Sequence, residues 1–216
     1  MMSENAARRL VSMFQAISEA VEAEKDHLSE LDGAIGDADH GTTMSLGFLA
    51  VKAGLAKLDL DHAQISDVMA TAAGAFLNAV GASTGPLYAT AFRRAAQAVA
   101  GKTELDLATC AAIIDAMGSG MRERGKGQRG DKTMLDAWLP AADAAAAALA
   151  DNKGADGFWR DVVASAEAGA NATRSMIATK GRAARVRERS LGHVDPGAAS
   201  SVVILRAMAS SLNRAA

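Results

Sequence analysis

The sequence predicts an all-α protein, an eight-helix antiparallel up-and-down bundle or closed barrel. Three observations carry this. Apolar residues recur at offsets of three and four along most of the chain, the mark of helices that bury one stripe. Nowhere do β-branched or aromatic residues alternate over a strand-length run. Half of the 216 residues are hydrophobic but only 4% are aromatic, so the apolar mass is Ala, Leu, Val and Met, a mixture rich in helix formers. Connections are mostly short, which favours antiparallel neighbours. No boundary or repeat interrupts the pattern, and residues 1–216 read as a single domain.

The first helix runs roughly from Ser3, a candidate cap, to Leu28, with Leu10, Met13, Phe14, Ile17 and Val21 on one stripe. A second carries Met44, Phe48, Val51, Leu55 and Leu58, and a third Ile65, Val68, Met69, Ala72, Phe76, Leu77 and Val80. Pro86 stands in the first turn of a fourth, where its missing N–H is tolerated, ahead of Leu87, Phe92 and Val99. The fifth holds Leu107, Cys110, Ile113, Ile114, Met117 and Met121. The sixth starts at Thr133 with Leu135, Trp138 and Leu139; Pro140 is expected to kink it, and the run Ala144 to Ala148 calls for a closely approaching neighbour. Phe158, Trp159, Val162 and Val163 begin a seventh that ends near Ile177. The eighth runs from about Ala198 through Val202, Val203 and Leu205 to Leu212.

Composition narrows the function. A formal net charge of −2 argues against a dedicated nucleic-acid binder, which normally carries a basic balance. Cys110 is the only cysteine, so no intrachain disulfide forms, and its apolar helical setting makes it a core residue rather than a nucleophile. The N-terminal stretch has Glu4, Arg8 and Arg9 and lacks the apolar region of a signal peptide. The longest uncharged run, Val68 to Phe92, is broken by Asn78, Gly81, Ser83, Thr84, Gly85 and Pro86 before it reaches a membrane-spanning length. The expectation is a soluble cytoplasmic protein.

One stretch concentrates chemistry: Asp32-Gly-Ala-Ile-Gly-Asp37-Ala-Asp39-His40-Gly41-Thr42-Thr43. Gly33, Gly36 and Gly41 let the chain fold three carboxylates around one centre. Converging carboxylates repel unless a cation neutralises them, and an all-oxygen set suits a hard ion such as Mg²⁺ or Ca²⁺. An EF-hand is excluded, because counting from Asp37 puts Thr42 where Gly is required and Phe48 where the bidentate Glu belongs. Gly41-Thr42-Thr43 opens a helix, whose free N–H groups favour a bound phosphate. The same residues also suit a solvated turn capped by Thr42 or Thr43.

Three more polar, Gly-containing loops stand at helix ends. Gly81-Ala-Ser-Thr-Gly-Pro86 offers hydroxyls and N–H groups to phosphate oxygens, or forms a tight turn. Arg122 to Lys132, with five basic and two acidic residues, has the length of a nucleotide lid, although most basic loops are only solvated. Lys180 to Arg189 holds five basic residues against one acid, and Arg182 has the planar fork that suits a diphosphate. Asp195, ahead of the last helix, suits a helix N-terminus or a ribose. In an up-and-down arrangement the loops starting at Asp32, Gly81, Arg122 and Thr179 follow odd-numbered helices and share one rim. That convergence favours a nucleotide site there. No G-x-x-x-x-G-K-[ST] sequence is present, which excludes a P-loop enzyme.

Four blocks resemble a known family: Leu31-Asp-Gly-Ala-Ile-Gly-Asp-Ala-Asp-His-Gly-Thr42, Gly81-Ala-Ser-Thr-Gly-Pro-Leu-Tyr88, Gly130-Asp-Lys-Thr-Met-Leu-Asp136, and Lys180-Gly-Arg182 through Glu188-Arg-Ser-Leu-Gly-His-Val-Asp-Pro-Gly-Ala198. They are similar, in order and over nearly the whole chain, to the ADP-binding L subunits of bacterial dihydroxyacetone kinases and the matching domain of single-chain ATP-dependent enzymes. The resemblance implies an eight-helix barrel with the nucleotide capping one rim. It implies that Asp32, Asp37 and Asp39 bind two Mg²⁺ ions. His40, Gly41, Thr42, Thr43, Ser83 and Thr84 would line the phosphates; Gly125, Met134, Arg182, Asp195, Pro196 and Gly197 would hold the rest of an ADP or ATP. Ala38 and Thr43 depart from the Gly and Asn common in the family. The implied partners are a ketose-binding kinase subunit and a phosphotransferase-system protein that phosphorylates the bound ADP; a homodimer is compatible with this. The alternatives are an ATP-dependent kinase subunit for dihydroxyacetone or a tetrulose, with freely exchanging nucleotide, and an ADP-dependent regulatory docking module. Neither His40 nor His193 is read as a phosphohistidine carrier.

Overall fold

Each apolar stripe read from the sequence lies on a helix, and the stripes meet in a closed ring. The computed structural model describes residues 5–81 and 83–213. Among these residues there are nine α-helices and no strand: α1 Ala6–Ala23, α2 Lys25–Ile35, α3 His40–Leu55, α4 Ile65–Ala79, α5 Thr84–Ala98, α6 Leu107–Gly125, α7 Leu135–Ala150, α8 Ala155–Ala172 and α9 Pro196–Leu212. Two 3₁₀ segments, Thr173–Ser175 and Ala183–Ser190, lie between α8 and α9. Helices α3 to α9 each pack on the next, and α1 closes the ring by packing on both α9 and α3.

The eight expected helices are all present, with the first divided in two. Its predicted cap, Ser3, lies outside the described residues; Asn5 caps α1 instead, its side chain accepting from Ala7 N at 2.8 Å. The break after Glu24 has no Gly or Pro to announce it. It falls where α3 presses on the chain: a Cβ on Gly41 would stand 1.9 Å from the Lys25 carbonyl oxygen and 2.7 Å from Ser29 Oγ. The second piece, α2, then runs on to Ile35, so Asp32 and Gly33 are helical rather than part of a loop. Two other boundaries move. Helix α6 continues through Arg122 to Gly125, which shortens the basic loop, and α8 ends at Ala172, ahead of the expected Ile177.

The barrel is filled with aromatic rings. Phe14, Phe48, Phe76, Tyr88 and Phe92 are fully buried and meet mostly edge to face, with centroids 5.4 Å apart for Phe48 and Phe76 and 5.5 Å for Phe14 and Phe92. Such pairs contribute about 0.5–1.5 kcal/mol each beyond their buried area. Helix α7 stays one segment through Pro140. Pro140 has no N–H for the Asp136 carbonyl, and α8 uses the opening, since a Cβ on Gly169 would fall 1.8 Å from that carbonyl oxygen. This is a close neighbour of the kind the alanine-rich α7 requires; Ala141, Ala145 and Ala148 are buried. No described helix is long and apolar enough to cross a membrane.

The α7–α8 approach makes a prediction. Gly169→Ala should destabilise the protein by about 1–3 kcal/mol, because the backbone it meets cannot give way. Gly157→Ala, one helix face away, meets only the flexible Lys153 side chain at 3.4 Å and should be neutral or slightly stabilising. Urea denaturation midpoints of the two variants measure the difference.

Candidate functional site

Up-and-down winding brings the ends of α2, α4, α6 and α8 to one end of the barrel. A cleft of about 400 Å³ opens there. All four loops singled out in the sequence line it, through Asp32, Asp37, Asp39 and His40; Ser83 and Thr84; Gly125 and Gly127; and Lys180, Gly181 and Arg182. Met134, Asp195, Pro196 and Gly197 line it as well. Gly41, Thr42 and Thr43 do not; they form the first turn of α3, with Gly41 buried in helix packing. A larger hollow of about 740 Å³ at the opposite end borders helix caps such as Asn5, Gln64 and Asp106. It contains no cluster of metal-ligating side chains among the described residues.

The acidic corner is built by the α2–α3 turn. Asp32, in the last turn of α2, accepts from Asp39 N at 3.0 Å and His40 N at 3.3 Å through Oδ2. It thus caps α3 from outside, a task the Asp39 side chain does not perform. Gly36 is needed beneath it, since a Cβ there would lie 2.1 Å from Asp32 Oδ1. Ala38 takes a left-handed φ of 61° to turn Asp37 and Asp39 back toward Asp32, a conformation that costs a non-glycine residue about 1–2 kcal/mol. Carboxylate oxygens of Asp32, Asp37 and Asp39 all come within 4.8 Å of one another.

Burial first, and then the charge of Asp32, push the Asp39 carboxyl above its ordinary range. A hard divalent cation would relieve that repulsion, and three oxygen donors leave positions for water and phosphate, as Mg²⁺ prefers. The residues therefore fit a metal. Arg182 stands over the same corner, paired with Asp37 and 3.6 Å from Asp39 Oδ2.

His40 sits at the floor, its Nε2 2.9 Å from Ser200 Oγ. Burial holds its imidazole neutral, with the pKa lowered to about 4. Across the cleft, Pro86, Leu87, Met121, Met134, Leu135 and Pro196 make an apolar wall. A site with charge at one end and an apolar slot at the other can take a ligand that is itself divided, anionic at one end and flat and apolar at the other. Leu87, Met121 and Leu135 carried no sign in the sequence, because a Leu or Met at a helix end reads as core.

Lys132 was legible only as one charge in a basic loop, and the structure gives it another task. It is 1% exposed, and its ammonium donates to the carbonyls of Thr173 at 2.8 Å, Met176 at 3.3 Å, Ser190 at 2.6 Å and His193 at 2.6 Å. Asp131 adds a second tie, accepting from Thr179 Oγ1 at 2.7 Å and, through its carbonyl, from Thr179 N at 3.1 Å. Asp136 accepts from Gly130 N and Thr133 N and shapes the turn between them. The segment that carries Arg182 is thus pinned at both ends. Asp195 caps α9, accepting from Ala198 N at 2.7 Å, and burial raises its carboxyl to about 7.

Residues 34–210 match the DAK2 domain family. The chain belongs to that family. It is 40% identical over 190 residues to the ADP-binding subunit of PEP-dependent dihydroxyacetone kinase 1 of Listeria innocua, covering 88% of this chain and 89% of the relative. It is 34% identical over 202 residues to the corresponding ADP-binding subunit of Escherichia coli, covering 93% and 95%. The dihydroxyacetone kinase of C. freundii superposes with a TM-score of 0.73 at 25% identity, over 94% of this chain but 34% of that longer one.

Two predictions follow from the pinned segment and its buried acid. Lys132→Met leaves four carbonyls without their donor and should cost on the order of 3 kcal/mol, with hydrogen exchange accelerating selectively over residues 173–194. Native Asp195 keeps its proton up to about pH 7, whereas an unfolded Asp loses it near pH 4. Between these values the native state binds more protons, so this group's contribution to stability falls as pH rises, by at most about 1.4 kcal/mol per unit. Asp195→Asn removes that slope, so its denaturation midpoint should gain on the unsubstituted protein from pH 4 to pH 7.

Proposed function

We propose that this chain is the nucleotide-binding subunit of a dihydroxyacetone kinase, holding ADP and Mg²⁺ in the cleft as a phosphoryl carrier. The observation that carries the reading is the convergence of four loops on one cleft with a carboxylate corner and an apolar wall. It is supported by full-length likeness to ADP-binding subunits of PEP-dependent dihydroxyacetone kinases. Asp32, Asp37 and Asp39 hold two Mg²⁺ ions, and the metal neutralises phosphate charge when bound. His40, at the N-terminus of α3, receives phosphate oxygens along with Ser83 and Thr84, all three lining the cleft. Leu87, Gly125, Met134 and Pro196 receive the base, and Asp195 and Gly197 the sugar side.

The chain's part in the chemistry is positioning and charge. Phosphoryl transfer needs the reacting groups in line and the equatorial oxygens neutralised, not a covalent intermediate on this chain. Arg182, aimed at the acidic corner, supplies a guanidinium fork to the phosphates. The partners are a ketose-binding subunit and a phosphotransferase-system donor protein, and the setting is the cytoplasm. The whole chain acts as one domain.

Calorimetry with ADP tests the site. Binding should require Mg²⁺ and fall at least about 100-fold in Asp37→Ala/Asp39→Ala. With ADP present, a chelator should lower the melting temperature, because a ligand bound only by the folded state stabilises it. An unchanged melting temperature sinks the metal-bridged site. Reconstitution with the ketose-binding subunit should give ketose phosphate from the phosphotransferase donor; turnover with ATP alone would establish the ATP-dependent reading instead.

A further inference from the structure

The last turn of α6 lines the cleft through Met121, Arg124 and Gly125, and it ends unlike the other helices. In the other eight α-helices the C-cap N–H returns to a carbonyl of the helix's own last turn. The C-cap of α6, Lys126, makes no such bond and turns left-handed, with φ 50°. The chain beyond it is engaged elsewhere. Gln128 N donates to Asp131 Oδ2 at 2.8 Å, Gly130 N to Asp136 Oδ1 at 2.6 Å and Asp131 N to the Gln128 carbonyl at 3.3 Å. These bonds shape the turn that carries Lys132 and draw the chain away from α6. Among the described residues, the carbonyls of Glu123, Arg124 and Gly125 accept no hydrogen bond.

Free carbonyls at a helix C-terminus carry the negative end of its dipole, so they attract donors and repel other acceptors. Their surroundings narrow the donor. Gly125 stands against the apolar wall, where a Cβ would lie 3.0 Å from Leu87 Cδ2; a Cβ on Gly127 would lie 2.9 Å from Leu135 Cδ1. Glycine therefore leaves the backbone bare beside a slot suited to a flat ring. The charged side chains Arg124 and Lys132, which also line the cleft, are donors only. They give an amino group on the ring nothing to bond to. The α6 carbonyls do.

We propose that the C-terminus of α6 selects the base. Adenine carries an amino group at C6, a donor, where guanine and hypoxanthine carry an oxygen, an acceptor. A carbonyl of the Glu123–Gly125 turn accepts from the adenine amino group and opposes an oxygen in its place. The ligand class is thus a 6-aminopurine nucleotide, chosen by backbone rather than by a side chain. This rests on the nucleotide reading above and names the group that sets its base.

Calorimetry on the full chain with Mg²⁺ compares ADP with purine riboside 5′-diphosphate, which has hydrogen at C6, and inosine 5′-diphosphate, which has oxygen there. The purine riboside compound should bind about tenfold more weakly than ADP, the equivalent of one hydrogen bond. Inosine diphosphate should bind about 100-fold more weakly, because two acceptors then face each other. Carbonyl ¹³C spectra of the labelled protein locate the acceptor: at least one signal of Glu123, Arg124 and Gly125 should lie downfield in the ADP complex relative to the purine riboside complex. Inosine diphosphate binding within about threefold of ADP overturns the proposal. So does selectivity for ADP with those three carbonyl signals alike in both complexes. Loss of selectivity alone sinks only this inference, whereas failure of ADP itself to bind sinks the nucleotide reading and this inference together.

Discussion

A lysine ammonium taken out of water is destabilising unless its donors are met. Lys132 meets them with four backbone carbonyls drawn from residues 173 to 193. The long connection between α8 and α9 would otherwise have little to hold it, because it contains only short 3₁₀ turns and exposes Ile177 and Leu191. Gathered around one ammonium, its two ends lie against the turn before α7. The stretch between them, with Arg182, is carried over the acidic corner. Asp131 and Asp136 reinforce the arrangement by occupying the N–H groups of the same turn. Burial lowers the Lys132 pKa, so the ammonium depends on its carbonyl shell as much as the shell depends on it.

The acidic corner works by a related economy. Asp32 belongs to one helix and caps the next, so a single carboxylate both ends the α2–α3 turn and contributes to the cluster. Its packing requires Gly36, and the return of the chain requires Ala38 at a positive φ. Three like charges brought together in this way are unfavourable on their own, and burial first, then the Asp32 charge, raise the Asp39 carboxyl. The Arg182 guanidinium offsets part of that repulsion, and a metal ion would offset more. Strain at Ala38 and crowding of carboxylates are both tolerated because the rest of the barrel is well packed around its aromatic centre.

Much of this was legible in the sequence, and the failures share a cause. Helical periodicity identified the apolar stripe of every helix but α2, and the parity of the connections placed four polar loops at one rim. The division of the first helix was not legible, since it comes from Gly41 of α3 pressing on the Lys25 carbonyl, a contact between residues 16 apart. Lys132 read as one more solvated charge, because its carbonyl partners lie 41 to 61 residues further on. Gly41 looked like a phosphate-loop glycine, and the structure gives it a packing reason as well. Leu87, Met121 and Leu135 are indistinguishable from core residues by pattern alone, and Met121 and Leu135 stay buried where they line the cleft.

Local patterns therefore determined what each segment is: helix or loop, apolar or polar face, a carboxylate cluster with an all-oxygen donor set, and four motif blocks of a recognisable family. These depend on spacing within a few residues, where backbone geometry leaves little freedom. The tertiary structure decided what each polar group does. Whether a lysine is solvated or buried, whether an aspartate caps its own helix or its neighbour's, and which serine meets His40 depend on groups far apart in the chain. Their energies are set by burial and by partners that exist only once the ring of helices has closed.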